Sequence, residues 1–162
     1  MKTIFESERI NYVKVNEDLI NDYLEMVNDP LVANKISHNP ISFTYEQEKE
    51  WIKIKLAEDA KVFSMIEKST GDYIGNIEVM EPKDGISELG ITITPKKQNM
   101  HYGREAMKRI MKYAEEELGI NNFELNVYKT NPKAIKCYEN SGFVIDGDGK
   151  TEEDYHMSYK RV

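Results

Sequence analysis

Cysteine is nearly absent: Cys137 stands alone in 162 residues, so the chain can form no internal disulfide and no cysteine-rich metal site. Histidine is almost as scarce, and His38, His101 and His156 are too scattered to suggest a metal centre. No apolar run approaches the length needed to cross a bilayer. The opening Met1-Lys2-Thr3-Ile4-Phe5-Glu6 is charged too early for a secretory h-region. Basic residues are in the minority, 22 Lys plus Arg against 29 Asp plus Glu, a net charge of −7. That balance argues against a dedicated nucleic-acid binder, which needs a basic face, and favours cationic partners such as amines. No repeat and no Pro/Gly/Ser linker divides the chain. These absences point to one domain over residues 1–162, in a reducing cytoplasm, without membrane or nucleic-acid partners.

The residues that are present read as alternating strands and helices. Residues 9–15 alternate as a strand, and 17–28 change to helical spacing, ended by Asp29-Pro30. A loop rich in Asn, Ser and Pro is expected up to Phe43. Thr44-Tyr45-Glu46-Gln47 fits a capping box opening a helix to about Ala57 that would bury Trp51, Ile52 and Leu56. Residues 62–67, 73–80 and 86–94 read as strands joined by short turns, an antiparallel meander. Gly75 and Gly90 inside them mark bulges or close backbone approach.

The second half opens on the strongest helix, 103–118, with Ala106, Ile110, Ala114 and Leu118 in an i, i+4 row and Gly119 as its stop. A strand at 123–128 follows. Asn131-Pro132 then supplies an N-cap and a first-turn proline for a helix to about Asn140. Two late strands, at 143–145 and 155–160, are joined by an acidic loop. The order predicts an α+β fold: a mixed, mostly antiparallel sheet flanked by helices, with one βαβ-type crossover.

Chemistry concentrates where the strand ending near Thr94 meets the helix starting at Gly103. Open N–H groups and the positive end of the helix dipole suit an anion there. Between positions 96 and 112, Lys96, Lys97, Arg104, Lys108, Arg109 and Lys112 face only Glu105, a local balance of +5 that leaves −12 elsewhere. An exposed basic helix face is the plain alternative.

Gln98-Asn99-Met100-His101-Tyr102-Gly103 resembles the Gln/Arg-x-x-Gly-x-Gly/Ala loop of GCN5-related N-acetyltransferases (GNAT). The segment from Asn131 through Ala134 and Tyr138 to Gly142-Phe143 resembles their Asn-x-x-Ala-x-x-x-Tyr-x-x-x-Gly-Phe pattern. Glu88-Leu89-Gly90-Ile91 is similar to the strand before the loop. Arg104-Glu105-Ala106 is similar to the branch that acetylates ribosomal-protein N-termini and includes polyamine acetyltransferases. The resemblance covers nearly the whole chain in element order. It departs at His101, which stands where the family has the first loop glycine; histidine tolerates the left-handed region better than most residues. Either its ring N–H reaches a phosphate or it is a surface residue of an altered loop.

The resemblance implies transfer of an acetyl group from acetyl-CoA to a primary amine, either a protein N-terminus or a small amine such as a polyamine. Gln98, Asn99, Met100, His101, Tyr102, Gly103 and Arg104 would hold the pyrophosphate, and Ile91, Thr92 and Ile93 would pair with the pantetheine arm. Ile91 N–H would serve a developing oxyanion. Asn131 and Ala134 belong to the same cofactor set, Asn131 also as a helix cap. Tyr138 is the candidate acid for the leaving thiolate, since a phenol holds its proton above a thiol's pKa. Glu88 is the candidate base, directly or through water, with Glu124 and Glu78 as alternatives. Members with a glutamate in the preceding strand would place it at Asn126, which cannot act as a base. Residues 28–51 would shape the acceptor pocket. Cys137 reads as a packing residue, and Asp146-Gly147-Asp148-Gly149-Lys150 as an acidic turn lacking a calcium loop's ligands. No metal is expected, and a homodimer is compatible with the sequence. The rival reading is a catalytically silent acyl-CoA-binding regulatory module.

Overall fold

The computed structural model describes residues 1–36 and 42–160. The expected loop is described only in part, since residues 37–41, including His38, lie outside that set. The strands are β1 (Thr3–Glu6), β2 (Ile10–Lys14), β3 (Lys61–Glu67), β4 (Tyr73–Val79), β5 (Ile86–Ile93), β6 (Asn122–Tyr128), β7 (Val144–Asp148) and β8 (Asp154–Lys160). The helices are α1 (Ile20–Asn28), α2 (Pro30–Ile36), α3 (Tyr45–Ala57), α4 (Tyr102–Tyr113) and α5 (Pro132–Asn140). The described strands form a sheet of order β1-β2-β3-β4-β5-β6-β8-β7, mixed and mostly antiparallel, as expected. Two compact units divide the chain. One comprises Met1–Glu78 and Ile91–Tyr102; the other comprises Val79–Gly90 and Gly103–Val162.

In the first unit β2 pairs antiparallel with both β1 and β3. Its core joins Val13, Val15, Ile20, Tyr23, Met26, Ile52, Val62 and Tyr73, with Trp51 half-buried beside them. The capping box is present: Thr44 Oγ1 accepts from Gln47 N at 3.2 Å and Gln47 Oε1 from Thr44 N at 2.8 Å. β1 lay outside the sequence expectation, because it buries only Phe5 and carries no alternation to read. Asp29-Pro30 ends α1 but also starts α2, which replaces much of the expected loop. The Asp29 carboxylate accepts from Leu31 N at 2.9 Å, and proline fits a first helical position. Leu56 is 47% exposed rather than buried, because the inward stripe of α3 passes instead to Lys55, whose ammonium meets Glu78 at 3.3 Å. Gly75 is a close approach: a Cβ there would sit 2.0 Å from the Thr92 carbonyl oxygen.

In the second unit β5 pairs parallel with β6 (Ser87↔Phe123, Glu88↔Glu124), with α4 as the crossover. β6 and β8 are antiparallel, as are β8 and β7. Ala106, Met107, Ile110 and Ala114 are fully buried. The row fails at Leu118, which is half-buried, because Ala114–Leu118 forms a π turn that shifts the phase before Gly119 (φ 68°) ends it. The 146–150 segment is not a free acidic turn: Asp146 and Asp148 belong to β7, and Asp148 meets Lys129 at 2.7 Å.

Candidate active site

The segment between β5 and α4 is tied down on all sides. A short 3-10 turn at Pro95–Lys97 follows Thr94, and Gln98 Nε2 donates back to the Ile93 carbonyl at 2.9 Å. Asn99 (φ 62°) and His101 (φ 63°) both take the left-handed conformation. His101 therefore adopts the backbone shape for which a glycine serves at that position. Arg9 donates to the Met100 carbonyl at 3.0 Å, and its guanidinium lies 4.2 Å from the Tyr102 ring centroid. Beneath the loop, Glu67 accepts from the Tyr102 hydroxyl, from Thr70 Oγ1 at 2.6 Å and from Lys97 Nζ at 3.1 Å. Lys97 also reaches Asp72 at 3.0 Å. The hydrogen bonds from Thr70, Tyr102 and Lys97 hold the Glu67 carboxyl down at about 2 despite its burial, and those to Asp72 and Glu67 raise the Lys97 ammonium.

This hub changes the meaning of the basic stretch. Lys97 is consumed by Glu67 and Asp72, Lys96 sits 3.2 Å from Glu25, and Lys112 lies 3.9 Å from Glu116. Arg104 and Lys108 are exposed. Lys97 is thus tied into the fold beneath the loop rather than held out toward solvent. Arg9, Glu67 and Thr70 are the residues that sequence reasoning missed. They are far from the loop in sequence, and Glu67 looks like an ordinary strand end.

The backbone of β5 alternates its hydrogen bonds. Met80 N donates to Glu88 O, and Thr94 N donates to Ile74 O, each at 2.9 Å, so positions 88 and 94 turn toward the β4 side. By alternation Ile91 turns its N–H and C=O to the opposite side, and the β5–β6 register ends at Glu88↔Glu124. Ile91 therefore keeps a strand edge without a strand partner among the described residues.

In the second unit, Asn131 Oδ1 caps Ala134 N at 3.4 Å, which gives Asn131 its structural role. Tyr138 is partly exposed, with its ring edge-on to Phe143 at 6.3 Å. Its hydroxyl has no hydrogen-bond partner among the described residues, and burial, aided by Cys137, pushes its pKa well up. Burial also raises the Cys137 thiol, as suits a packing cysteine.

Glu88 and Glu124 are register partners and share a sheet face, opposite the buried Ser87 and Phe123. Lys150 Nζ lies 3.4 Å from Glu88. His156 is no isolated histidine: Nε2 meets Glu124 at 3.1 Å and Nδ1 meets Asp146, which raises its pKa, Asp146 contributing most. Burial works upward on Asp146, but the bonds from His156 and Ser158 bring it down on balance. Asn126 pairs with His156 across β6 and β8. Phe143 contacts Tyr159 at 5.7 Å and Tyr159 contacts Phe123 at 6.1 Å, so Tyr138 belongs with the opposite, apolar face. The candidate residues thus divide. Ile91, Thr92, Ile93, Gln98, Asn99, Met100, His101 and Tyr102 belong to the first unit; Glu88, Gly103, Arg104, Asn131, Ala134 and Tyr138 belong to the second. Among the described residues, no group of His, Cys, Asp and Glu is arranged to hold a metal ion, and no helix is long and apolar enough to cross a membrane.

A strand–loop–helix with this geometry, followed by a capped helix carrying Tyr138, is the arrangement of an acyltransferase domain. Residues 9–144 match the family model of the acetyltransferase (GNAT) domain, and the chain belongs to that family. Among its relatives, acetyltransferase PseH of Campylobacter jejuni is 26% identical over 151 residues, covering 93% of this chain and 92% of that protein. Spermidine N(1)-acetyltransferase of Vibrio cholerae is 26% identical over 106 residues, covering 64% and 61%. The fold also matches the crystal structure of spermidine N-acetyltransferase from Vibrio cholerae in complex with CoA and spermine. That match has a TM-score of 0.83 at 20% identity and covers 94% of this chain and 95% of the other.

Proposed function

We propose that the protein transfers the acetyl group of acetyl-CoA to a primary amine by direct attack within a ternary complex. The observation that carries this reading is the open edge at Ile91, next to a loop with two left-handed residues leading into a helix N-terminus. The N–H groups of Gly103 and Arg104 open α4 without intrahelical acceptors and suit a pyrophosphate, with the Arg104 side chain beside them. Ile91 to Ile93 pair with the amide-bearing arm of the donor as an added strand would. The Ile91 N–H then faces the thioester oxygen and stabilises the charge that develops there.

The acceptor arrives as an ammonium ion and must lose a proton before it attacks. Glu88 lies on the sheet face opposite Tyr138, so it takes that proton through water. As the new C–N bond forms and the C–S bond breaks, Tyr138 gives its proton to the thiolate, and the acylated nitrogen releases its surplus proton to restore the phenol. A phenol whose pKa is raised by burial stays protonated while the thiolate forms and is in place to offer it a hydrogen bond and share its proton. The name of the spermidine-acetylating relative and the net charge of −7 favour a small cationic acceptor.

The test is thiol release from acetyl-CoA across monoamines, polyamines and peptide N-termini. Tyr138→Phe is expected to lower kcat about 100-fold, with KM for acetyl-CoA changed less than about threefold. Absence of thiol release with every amine overturns the reading.

A further inference from the structure

Glu48 is a carboxylate without a counterpart. It lies on the first turn of α3, is only 6% exposed, and has neither hydrogen bond nor ion pair among the described residues. It shares the inward stripe of α3 with Trp51 and Ile52, at the i+3 and i+4 positions. That stripe packs on α1, where the Tyr23 ring meets Trp51 at 5.9 Å and Tyr73 at 5.4 Å. Neither phenol hydroxyl serves Glu48. Tyr23 is engaged with Ser64 at 2.5 Å and Asn16 N at 3.2 Å, and the Tyr73 hydroxyl donates to Met26 Sδ at 3.6 Å.

A second acid acts on the same two phenols. Asp22 on α1 lies within electrostatic reach of both phenols, as Glu48 does. The groups facing Asp22 are Glu25 on its own helix, Asp72 before β4, and Lys96, whose ammonium is paired with Glu25. Burial raises both carboxyls. The Glu48 carboxylate is not among the sealed, unpartnered side-chain atoms, so it is reachable from solvent although the rest of the residue is buried, and a partly desolvated carboxylate that a ligand can reach is a contact for one. The ligand that answers a carboxylate beside aromatic rings is an alkylammonium: it donates hydrogen bonds, cancels charge and tolerates ring faces.

We infer that Glu48 binds the ammonium group of an aliphatic amine in the first unit. The kinetic consequence rests on the acetyl-transfer reading, with the amine as acceptor; the binding itself does not. Two ammonium groups fit this chemistry, the one that is acetylated and a distal one on the same molecule.

The experiment pairs thermal shift with kinetics on the full-length wild type, Glu48→Gln and Asp22→Asn, with propylamine, 1,3-diaminopropane and spermidine as probes. Glu48→Gln is expected to raise the melting temperature of the free protein, because a buried unpaired charge disappears, and to abolish the further rise that amines produce. Its amine KM is expected to increase at least about tenfold, more than kcat falls, with KM for acetyl-CoA unchanged. Asp22→Asn should raise the amine KM by a smaller factor. A KM effect with propylamine assigns the site to the reacting amine; an effect with the diamine and spermidine alone assigns it to the distal one. If the wild type acetylates amines while both variants keep wild-type KM and thermal response, the inference falls and the acetyl-transfer reading stands. If no amine is acetylated but amines stabilise the protein through Glu48, the site stands and the reading falls.

Discussion

Two buried glutamates of the first unit have opposite fates. Glu67 is 5% exposed and gathers Thr70, Tyr102 and Lys97 around its carboxylate, which stays ionised down to about pH 2. Glu48 is as deeply buried and gathers none, and its pKa is pushed up. Burial alone therefore does not say what an acidic residue is for. Complete pairing marks a residue that builds the loop, and absent pairing marks one kept for something that arrives from outside.

The largest expected effect comes from breaking the paired side. Glu67→Gln removes the charge that pairs with Lys97 and replaces one of the two acceptor oxygens that serve Thr70, Lys97 and Tyr102 with a donor. A loss of about 2–4 kcal/mol is expected, a melting temperature lower by about 5–12 °C by calorimetry. The pH dependence separates the two glutamates further. Glu67 has its folded pKa depressed from 4.5 to about 2, so its contribution is full above pH 4.5 and is lost as pH falls through that interval. The melting temperature of the wild type should fall there, and Glu67→Gln should flatten the decline.

Glu48 carries the opposite sign. Its raised pKa favours the fold below the ordinary carboxylate range, and that advantage disappears as pH rises through the raised value. Glu48→Gln should therefore gain about 1 kcal/mol near pH 7, and the gain should vanish near pH 4 in parallel scans. The smallest effect tests the loop that Glu67 supports. His101→Val places a β-branched residue in the left-handed region and should cost about 1 kcal/mol in urea unfolding, whereas His101→Gly should cost less than half as much.

What could be read from the sequence was local. The capping box at Thr44, the Asn131-Pro132 helix start and the Gly119 stop each depend on residues a turn apart, and each is where it was expected. The strand–loop–helix at 86–113 was legible for the same reason. α2 was hidden because one dipeptide both ends a helix and begins the next. The Glu67 hub joins positions 9, 67, 70, 72, 97 and 102, and the Asp146–His156–Glu124 chain crosses three strands. No periodicity records such long-range pairings; they follow only once the sheet register is known. The lysines near the loop show the same limit: their number was visible and their partners, such as Glu67 and Asp72 for Lys97, were not.

Asn28 closes α1 by grasping residue 43 with both ends of its side-chain amide: Nδ2 donates to the Phe43 carbonyl at 2.9 Å, and Oδ1 accepts from Phe43 N at 2.7 Å. One side chain thus acts as a clasp for everything between the two positions. It ties the end of α1 to the residue just before the Thr44 cap of α3, so two helix ends share one anchor, and Asn28→Ala would release both at once.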